Sequence, residues 1–157
     1  MNSRFLFSFL LCLAVPAWAQ HTAPPGTDPN AAFQPLPERK DLVSWKTLAQ
    51  VELVKQKDRY VPQFSKNVAA LDKKDVKVQG FMMPLEMGEK QSHFVLAAMP
   101  TTCAFCLPGG PESMVEVKMK TPVKYTFDAL VVSGKLTILK DDPSGIFYRI
   151  TDAEPAK

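Results

Sequence analysis

Alternation of apolar and polar side chains begins near residue 72 and dominates the rest of the chain. Val76 and Val78 alternate with polar neighbours, Gly80 interrupts the pattern, and an apolar run continues to Leu85. A period of two is typical of strands that bury one face, and a glycine inside a strand marks a bulge or a tight bend. The pattern therefore predicts a strand that turns a corner near Gly80.

Four further segments predict strands of the same kind. Residues 92–99, 114–120 and 146–151 alternate, and residues 130–139 carry a glycine at their middle. The turn sequence of residues 141–145, Asp-Asp-Pro-Ser-Gly, predicts that the last two strands pair as a hairpin. Five strands, two of them interrupted by glycine, predict an all-β fold, a small OB-like five-stranded barrel.

The segment ahead of the barrel predicts a short helix. Asp41 and Ser44 are residue types that cap helices, and Trp45 and Leu48 follow at helical spacing. From Val51 onwards the apolar spacing fits a helix and a strand equally. We expect residues 60–71 to be a connecting segment. We also expect residues 121–128, which contain a proline, to be extended, so that helix occurs only before the barrel.

The first 40 residues predict an export signal and a tether. A short basic start, an apolar run from Phe5 to Val15 and the small-x-small sequence Ala17-Trp18-Ala19 are typical of a cleaved signal peptide over residues 1–19. That apolar run is shorter than the roughly 20 residues that span a bilayer, so we expect no membrane insertion after cleavage. Residues 20–40 are rich in proline and predict an extended tether. The barrel domain is then expected over residues 41–157.

The charge balance of the chain and its predicted export limit the kinds of partner that it is expected to bind. The chain has 19 basic and 16 acidic residues, interspersed along its length, and a formal net charge of +3. This balance predicts no nucleic-acid surface. Export predicts a periplasmic location, where neighbouring cysteines form a disulfide unless they are protected. With two histidines and no nucleophile triad or phosphate-binding glycine loop, the sequence favours a binding module over an enzyme.

Residues 99–117 hold the paired reactive side chains. Cys103 and Cys106 are separated by two residues, and the Pro-Gly-Gly-Pro sequence of residues 108–111 follows them. Two sulfurs on such a stiff loop are able to close a disulfide, to exchange one, or to bind a soft metal ion. These three readings stay open on the sequence alone.

Metal binding requires ligands in addition to Cys103 and Cys106. A structural Zn(II) site takes four ligands, for which His93 on the preceding strand is a candidate. Cu(I) accepts two thiolates and thioether sulfur, and Met99 lies just before the loop. We therefore expect Cu(I) or Zn(II) if a metal is bound. Core packing is the competing role for the methionines, and a place on the strand surface is the competing role for His93.

The same loop supports two readings without a metal. A disulfide between its cysteines closes a very short ring, which stabilises a small domain by about 2 kcal/mol. A pair active in thiol exchange needs a lowered thiol pKa, from a helix N-terminus or a nearby cation, and the sequence shows neither. If the cysteines form a structural disulfide, Phe105 with Pro108, Gly109 and Gly110 would form an apolar docking loop for a partner protein.

Two stretches resemble a family of bacterial exported proteins of unknown function that share an OB-like barrel. They are Val78-Gln79-Gly80-Phe81-Met82-Met83-Pro84-Leu85-Glu86 and the cysteine followed by a proline-rich loop. Members of that family are found near ABC-type transporter genes, some under zinc control. The resemblance implies a periplasmic accessory role with a partner in envelope transport or metal supply. Where many members have a histidine after the first cysteine, this chain has Ala104-Phe105-Cys106.

Overall fold

The computed structural model describes residues 36–100 and 109–157. The predicted signal peptide and most of the predicted tether lie outside these residues. None of the helices within them is long and apolar enough to cross a bilayer. In chain order the elements are α1 (Trp45–Leu48), β1 (Val51–Gln56), β2 (Arg59–Phe64), α2 (Lys66–Ala69), β3 (Asp75–Pro84), β4 (Lys90–Ala97), a 3-10 turn (Pro111–Ser113), β5 (Met114–Lys124), β6 (Leu130–Ile138) and β7 (Tyr148–Ala156).

Strands β3 to β7 close into a barrel with the order β3-β4-β5-β7-β6. β3 pairs with both β4 and β6, and this double pairing closes the barrel. β5 and β7 run parallel, whereas the other neighbouring strands are antiparallel. The prediction of an all-β fold built on a small five-stranded barrel is confirmed.

Gly80 is the point at which β3 changes partner. Residues 75–80 pair with β6, and residues 81–84 pair with β4. A Cβ atom at Gly80 would lie 2.7 Å from the backbone oxygen of Ala97 and 2.7 Å from Cγ of Leu96. Glycine is therefore needed where the strands approach closely at the corner. The bend predicted at this position is confirmed.

The hairpin predicted between the last two strands is also present. β6 and β7 pair in antiparallel orientation. In the turn between them the side chain of Asp142 accepts a hydrogen bond of 2.9 Å from the backbone N–H of Ser144. No helix lies between β5 and β6 in the part of the chain that the structure describes, as the proline in residues 121–128 predicted.

The segment ahead of the barrel differs from the sequence prediction in one respect. Helix α1 forms where it was predicted, and the Ser44 side chain caps it by accepting a hydrogen bond from the N–H of Thr47. The ambiguous residues after Val51 form strand β1. Residues 60–71, expected to be a connecting segment, contain most of β2 and all of α2. The β1–β2 hairpin was therefore missed.

One hydrophobic core joins these early elements to the barrel. Leu48 of α1 and Val68 of α2 are fully buried within the same cluster as the barrel interior. Phe64 at the end of β2 packs edge-on against Phe147, with ring centroids 5.8 Å apart. The largest fully buried apolar side chains of the barrel are Val78, Phe94, Leu96, Val115, Val117, Val132, Leu136, Tyr148 and Ile150, and the polar Gln91 of β4 is buried with them.

Candidate functional site

The cysteine loop connects β4 to β5 and has fixed ends. Ala97 and Met114 form the last rung between the two strands. One residue further on, the N–H of Ala98 donates a hydrogen bond of 3.1 Å to the carbonyl of Ser113. The barrel therefore holds both ends of the loop together at one rim.

Four of the predicted loop residues, Cys103, Phe105, Cys106 and Pro108, lie outside the described residues. Their predicted roles in metal binding, disulfide formation and docking stay predictions. The other two predicted docking residues are described. Gly109 has a φ of 130°, in the region that favours glycine, and Gly110 directly precedes the 3-10 turn. The chain thus returns to β5 through a turn that depends on glycine.

Met99 lies at the base of the loop and is 49% exposed. It is four residues ahead of Cys103, so the intervening chain spans at most about 14 Å. With the segment before α1, Met99 lines a cleft of about 470 Å³. The apolar side chains around this cleft are Leu36, Pro37, Leu42, Val43, Trp45, Ala98 and Met99.

The part of this cleft that is formed by Val43 and Trp45 is anchored to β3. The indole Nε1–H of Trp45 donates a hydrogen bond of 2.8 Å to the carbonyl of Gln79, and the N–H of Val43 donates one of 2.8 Å to the carbonyl of Lys77. Ser44 caps the helix that carries Trp45. Because both attachments are to the barrel, the position of the cleft relative to the loop base is fixed.

His93 lies in a different environment from Met99. It precedes Ala97 by four residues, which is about 13 Å along an extended strand. Its Nε2 atom lies 2.7 Å from Oε1 of Glu116 on β5, and the other carboxylate oxygen accepts a hydrogen bond from Nε of Arg149 on β7. The structure therefore brings His93 into a charged cluster and does not bring it to the base of the cysteine loop.

Glu116 is the centre of this cluster and is only 6% exposed. Burial raises the pKa of its carboxyl, but the hydrogen bonds from Arg149 and His93 outweigh burial and hold the pKa below its usual value. The hydrogen bond to Glu116 also raises the pKa of Arg149, which pairs in addition with Asp142 at 3.2 Å. The cluster ties β4, β5, β7 and the β6–β7 turn together.

Sequence reasoning did not find this cluster. Its members come from three strands and a turn, so no local spacing connects them. One signal was available: Glu116 and Arg149 are both at outward positions of strands that the alternation predicts correctly. Only the parallel register of β5 and β7, which places Glu116 opposite Arg149, brings the two together.

The remaining methionines mostly pack in the core. Core packing was the alternative to metal binding that the sequence left open for them. Met82 and Met114 are 3% and 8% exposed, whereas Met87 is 99% exposed in the β3–β4 loop. Among residues 36–100 and 109–157, no three or more His, Cys, Asp and Glu side chains are grouped so that they would hold a metal ion. Met99 is therefore the predicted ligand that the structure places nearest to the cysteine loop.

These features define a class of protein, a small closed β-barrel with a cysteine-bearing loop clamped at its rim. Residues 19–149 match a family described as a protein of unknown function, DUF3299. Because this match covers most of the chain, the protein belongs to the DUF3299 family. The sequence resemblance to a family of unknown function is confirmed to that extent.

One solved structure is similar to this chain. It is the crystal structure of a DUF3299 family protein from Pseudomonas aeruginosa PAO1, with 22% sequence identity and a TM-score of 0.49. The alignment covers 61% of this chain and 68% of that one. No curated protein matches the chain.

Proposed function

We propose that this protein is a periplasmic accessory module that binds one soft metal ion, Cu(I) or Zn(II), through Cys103 and Cys106. Met99 supplies a third ligand when the ion is Cu(I). The observation that carries the proposal is the half-exposed side chain of Met99 at the clamped base of the cysteine loop. Thiolate and thioether sulfurs together form the donor set that Cu(I) prefers.

The position of Met99 supports a ligand role over a packing role. A methionine that serves the core is buried, as Met82 and Met114 are. Met99 is instead 49% exposed and lines an apolar cleft. Apolar side chains next to such a ligand would shield a bound ion from water.

The proposal includes a periplasmic location and a partner protein. The pattern of a cleaved signal peptide over residues 1–19 supports a periplasmic location, and the family match begins at residue 19, next to the predicted cleavage site. A protein of envelope transport or metal supply would deliver the ion or receive it. The tether over residues 20–40 would give the barrel reach toward such a partner.

Metal titration of the reduced mature protein tests the proposal. We expect one Cu(I) or Zn(II) ion per chain, measured against a competing chelator without oxygen, and no uptake by Cys103→Ser. Met99→Leu conserves volume and should weaken Cu(I) binding by about tenfold or more without a change in stability. Met87→Leu, the same change at an exposed methionine in the β3–β4 loop, is the matched control and should bind as the wild type does.

One result would contradict metal binding, and another would contradict the role of Met99. Reduced wild-type protein that takes up neither ion would end the proposal. Equal Cu(I) affinity of Met99→Leu and Met87→Leu would remove Met99 from the ligand set. His93→Gln completes the series. Because His93 is hydrogen-bonded to Glu116 and lies away from the cysteine loop, this change should leave the metal affinity unchanged.

Docking of a partner protein is the second candidate, and the cleft beside Met99 favours it. A cleft of about 470 Å³ with mainly apolar walls has the dimensions of sites that take small apolar groups. In this role the two cysteines would form a disulfide that stiffens the loop, and Phe105 would contact the partner. Counting thiols on protein from the periplasm separates the candidates, since metal binding requires two free thiols and the docking role requires none.

A further inference from the structure

The barrel has two ends, and the cysteine loop lies at one of them. Strand β4 runs antiparallel to both β3 and β5. The β3–β4 loop (residues 85–89) and the β5–β6 loop (residues 125–129) therefore both lie at the other end, the distal end of the barrel. The N–H of Tyr125 donates a hydrogen bond of 2.8 Å to the carbonyl of Glu89 and joins the two loops directly.

Large apolar side chains are exposed at the distal end. Leu85 and Met87 of the β3–β4 loop are 52% and 99% exposed, and Phe127 of the β5–β6 loop is 83% exposed. Groups of exposed apolar side chains mark surfaces that meet a partner or a membrane. We propose that the distal end binds the surface of a zwitterionic phospholipid bilayer, with these three side chains among the acyl chains. This surface uses no residue of the metal site proposed above.

The turn that carries Met87 is held in a fixed shape. On one side of it, the carboxylate of Glu86 accepts hydrogen bonds of 3.1 Å and 2.9 Å from the N–H and the hydroxyl of Ser92. On the other side, the carbonyl of Gly88, which has a φ of 112°, accepts one of 2.7 Å from Nε2 of Gln91. Both neighbours of Met87 are therefore fixed before it meets a surface, so less conformational entropy is lost on binding.

Gln91 fixes this turn at a cost to the stability of the fold. Its side chain is 1% exposed, and its Oε1 atom is buried without a hydrogen-bond partner in the described part of the chain. A buried acceptor that has lost its water and gained no partner is destabilising. An apolar residue at this position would remove the cost but would also release the carbonyl of Gly88. Retention of such a cost next to an exposed loop is typical of a functional surface.

Phe127 is supported by its own loop. Its ring contacts that of Tyr125 edge to face, with centroids 5.0 Å apart, and Tyr125 packs against the hydrophobic core. The N–H of Asp128 donates a hydrogen bond of 3.0 Å to Oγ1 of Thr126, which closes the turn around Phe127. The two loops thus present a methionine and a phenylalanine on ordered turns at the same end of the barrel.

Charged side chains of both signs surround these apolar residues. Lys90 and Lys124 lie directly opposite each other across β4 and β5, a like-charge pair that is unfavourable unless an anion is near. Glu89 and Asp128 are exposed in the two loops, and a third carboxylate, Glu86, is hydrogen-bonded within its own loop. A zwitterionic headgroup offers a phosphate to the lysines and a cationic amine to the carboxylates.

The charge and the shape of the distal end decide which surface fits it. Residues 85–90 and 124–129 contain two lysines and three acidic residues, a balance that does not attract an anionic membrane. Apolar side chains on two separate loops would need two matching pockets in a partner protein. The acyl region of a bilayer accepts them without such pockets. The contact is peripheral and requires no spanning segment.

Flotation of the mature protein with vesicles of phosphatidylcholine and phosphatidylethanolamine tests the proposal. The wild type should float with the vesicles, and Phe127→Ser and Met87→Ser should each lower the partition coefficient by about fivefold or more. Tyr60→Ser is the matched control and should bind as the wild type does. Tyr60 is 66% exposed, and it follows Arg59, which pairs with Asp141 of the β6–β7 turn near the cysteine loop.

Fluorescence quenching measures which end of the barrel enters the bilayer. Without residues 1–19 the chain keeps one of its two tryptophans, Trp45, which lies in the cleft beside the cysteine loop. Lipids brominated in their acyl chains should leave the emission of Trp45 unchanged. The same lipids should quench the indole that Phe127→Trp introduces at the distal end.

Four results would overturn the proposal. A wild type that does not bind the vesicles would leave a partner protein as the occupant, and equal binding of Phe127→Ser, Met87→Ser and the wild type would exclude the distal loops. Quenching of Trp45 would place the wrong end in the bilayer. Binding that requires phosphatidylglycerol, or that is lost between about 0.1 M and about 1 M salt, would mean an anionic surface. Met87→Ser keeps the test valid if Phe127→Ser does not fold, because the Met87 side chain is 99% exposed.

Discussion

Tyr148 of β7 donates a hydrogen bond of 2.6 Å to the backbone carbonyl of Leu48, the last residue of α1, although the two are 100 positions apart. Both residues are fully buried. Burial raises the pKa of Tyr148, so its hydroxyl stays a donor well into alkaline solution. A carbonyl at a helix C-terminus has no partner within the helix, and Tyr148 supplies one. The bond fastens the helix that carries Trp45 to the barrel.

Replacing Tyr148 by phenylalanine should destabilise the protein by about 1–3 kcal/mol. The change keeps the ring and its packing but leaves the buried carbonyl of Leu48 without a hydrogen bond. Urea unfolding of the two proteins measures the difference. Tyr60→Phe is the matched control, because the Tyr60 side chain is mostly exposed, and it should change stability by less than about 0.5 kcal/mol. Equal effects of the two changes would show that the buried bond contributes little.

The Glu116 cluster predicts that the stability of the fold falls at acid pH. The pKa of Glu116 is lower in the folded protein than in the unfolded chain. Its ionised form therefore stabilises the fold above the unfolded pKa of about 4.3, and this contribution is lost as the pH falls through the folded pKa. Glu116→Gln should cost about 1.5–3 kcal/mol at pH 7, the usual range for hydrogen bonds to a charged group. Urea unfolding of both proteins at successive pH values should show this difference shrinking below about pH 4.

A surface ion pair provides the control for Glu116. Glu154 lies 3.0 Å from Lys120, and both side chains are more than half exposed. Glu154→Gln should cost less than about 1 kcal/mol at pH 7, because solvent screens such pairs. A cost for Glu116→Gln that stayed constant from neutral to acid pH would mean that the carboxylate charge does not stabilise the fold.

Local signals explain how much of the barrel could be predicted from the sequence. Alternation identified four of the five barrel strands, and the apolar stretch interrupted by Gly134 identified β6. The last strand was predicted over residues 146–151, whereas β7 extends from Tyr148 to Ala156. Gly80 identified the corner, because the close approach of β3 to Ala97 leaves no space for a side chain. These features depend on residues adjacent in sequence, and for that reason they are visible without a structure.

The missed hairpin lacks such signals. Leu53 and Val54 are adjacent apolar residues, so β1 does not alternate, and Pro62 argues against a strand at β2. The turn contains no glycine or asparagine, and Lys57 itself adopts a positive φ of 54°. Similarly, the contacts of His93 with Glu116 depend on strand register, and the position of Met99 beside Trp45 depends on how α1 packs. Such tertiary relationships have no signature in a single sequence.

Gly80→Ala should strongly destabilise the barrel. The new methyl group would meet the backbone oxygen of Ala97 at 2.7 Å, and backbone in a closed barrel cannot move away freely. Overpacking of this kind costs about 1–3 kcal/mol or more, measured by thermal unfolding. Gly110→Ala is the control, since the nearest atoms to its methyl group would belong to the flexible carboxylate of Glu112. A Gly80→Ala protein as stable as Gly110→Ala would show that the corner relaxes without cost.

Lys73→Gly should stabilise the protein, in contrast to most substitutions. Lys73 has a φ of 62°, and its N–H donates a hydrogen bond of 2.8 Å to the carbonyl of Leu136, which fixes this conformation against β6. A residue with a Cβ atom pays about 1–2 kcal/mol in the left-handed region, whereas the extra flexibility of glycine in the unfolded chain costs about 0.5–1 kcal/mol. The net gain should be a few tenths to about 1 kcal/mol in urea unfolding. Lys74→Gly, at the next residue and without a positive φ, should lose about 0.5–1 kcal/mol, so the opposite signs of the two changes isolate the backbone conformation as the cause.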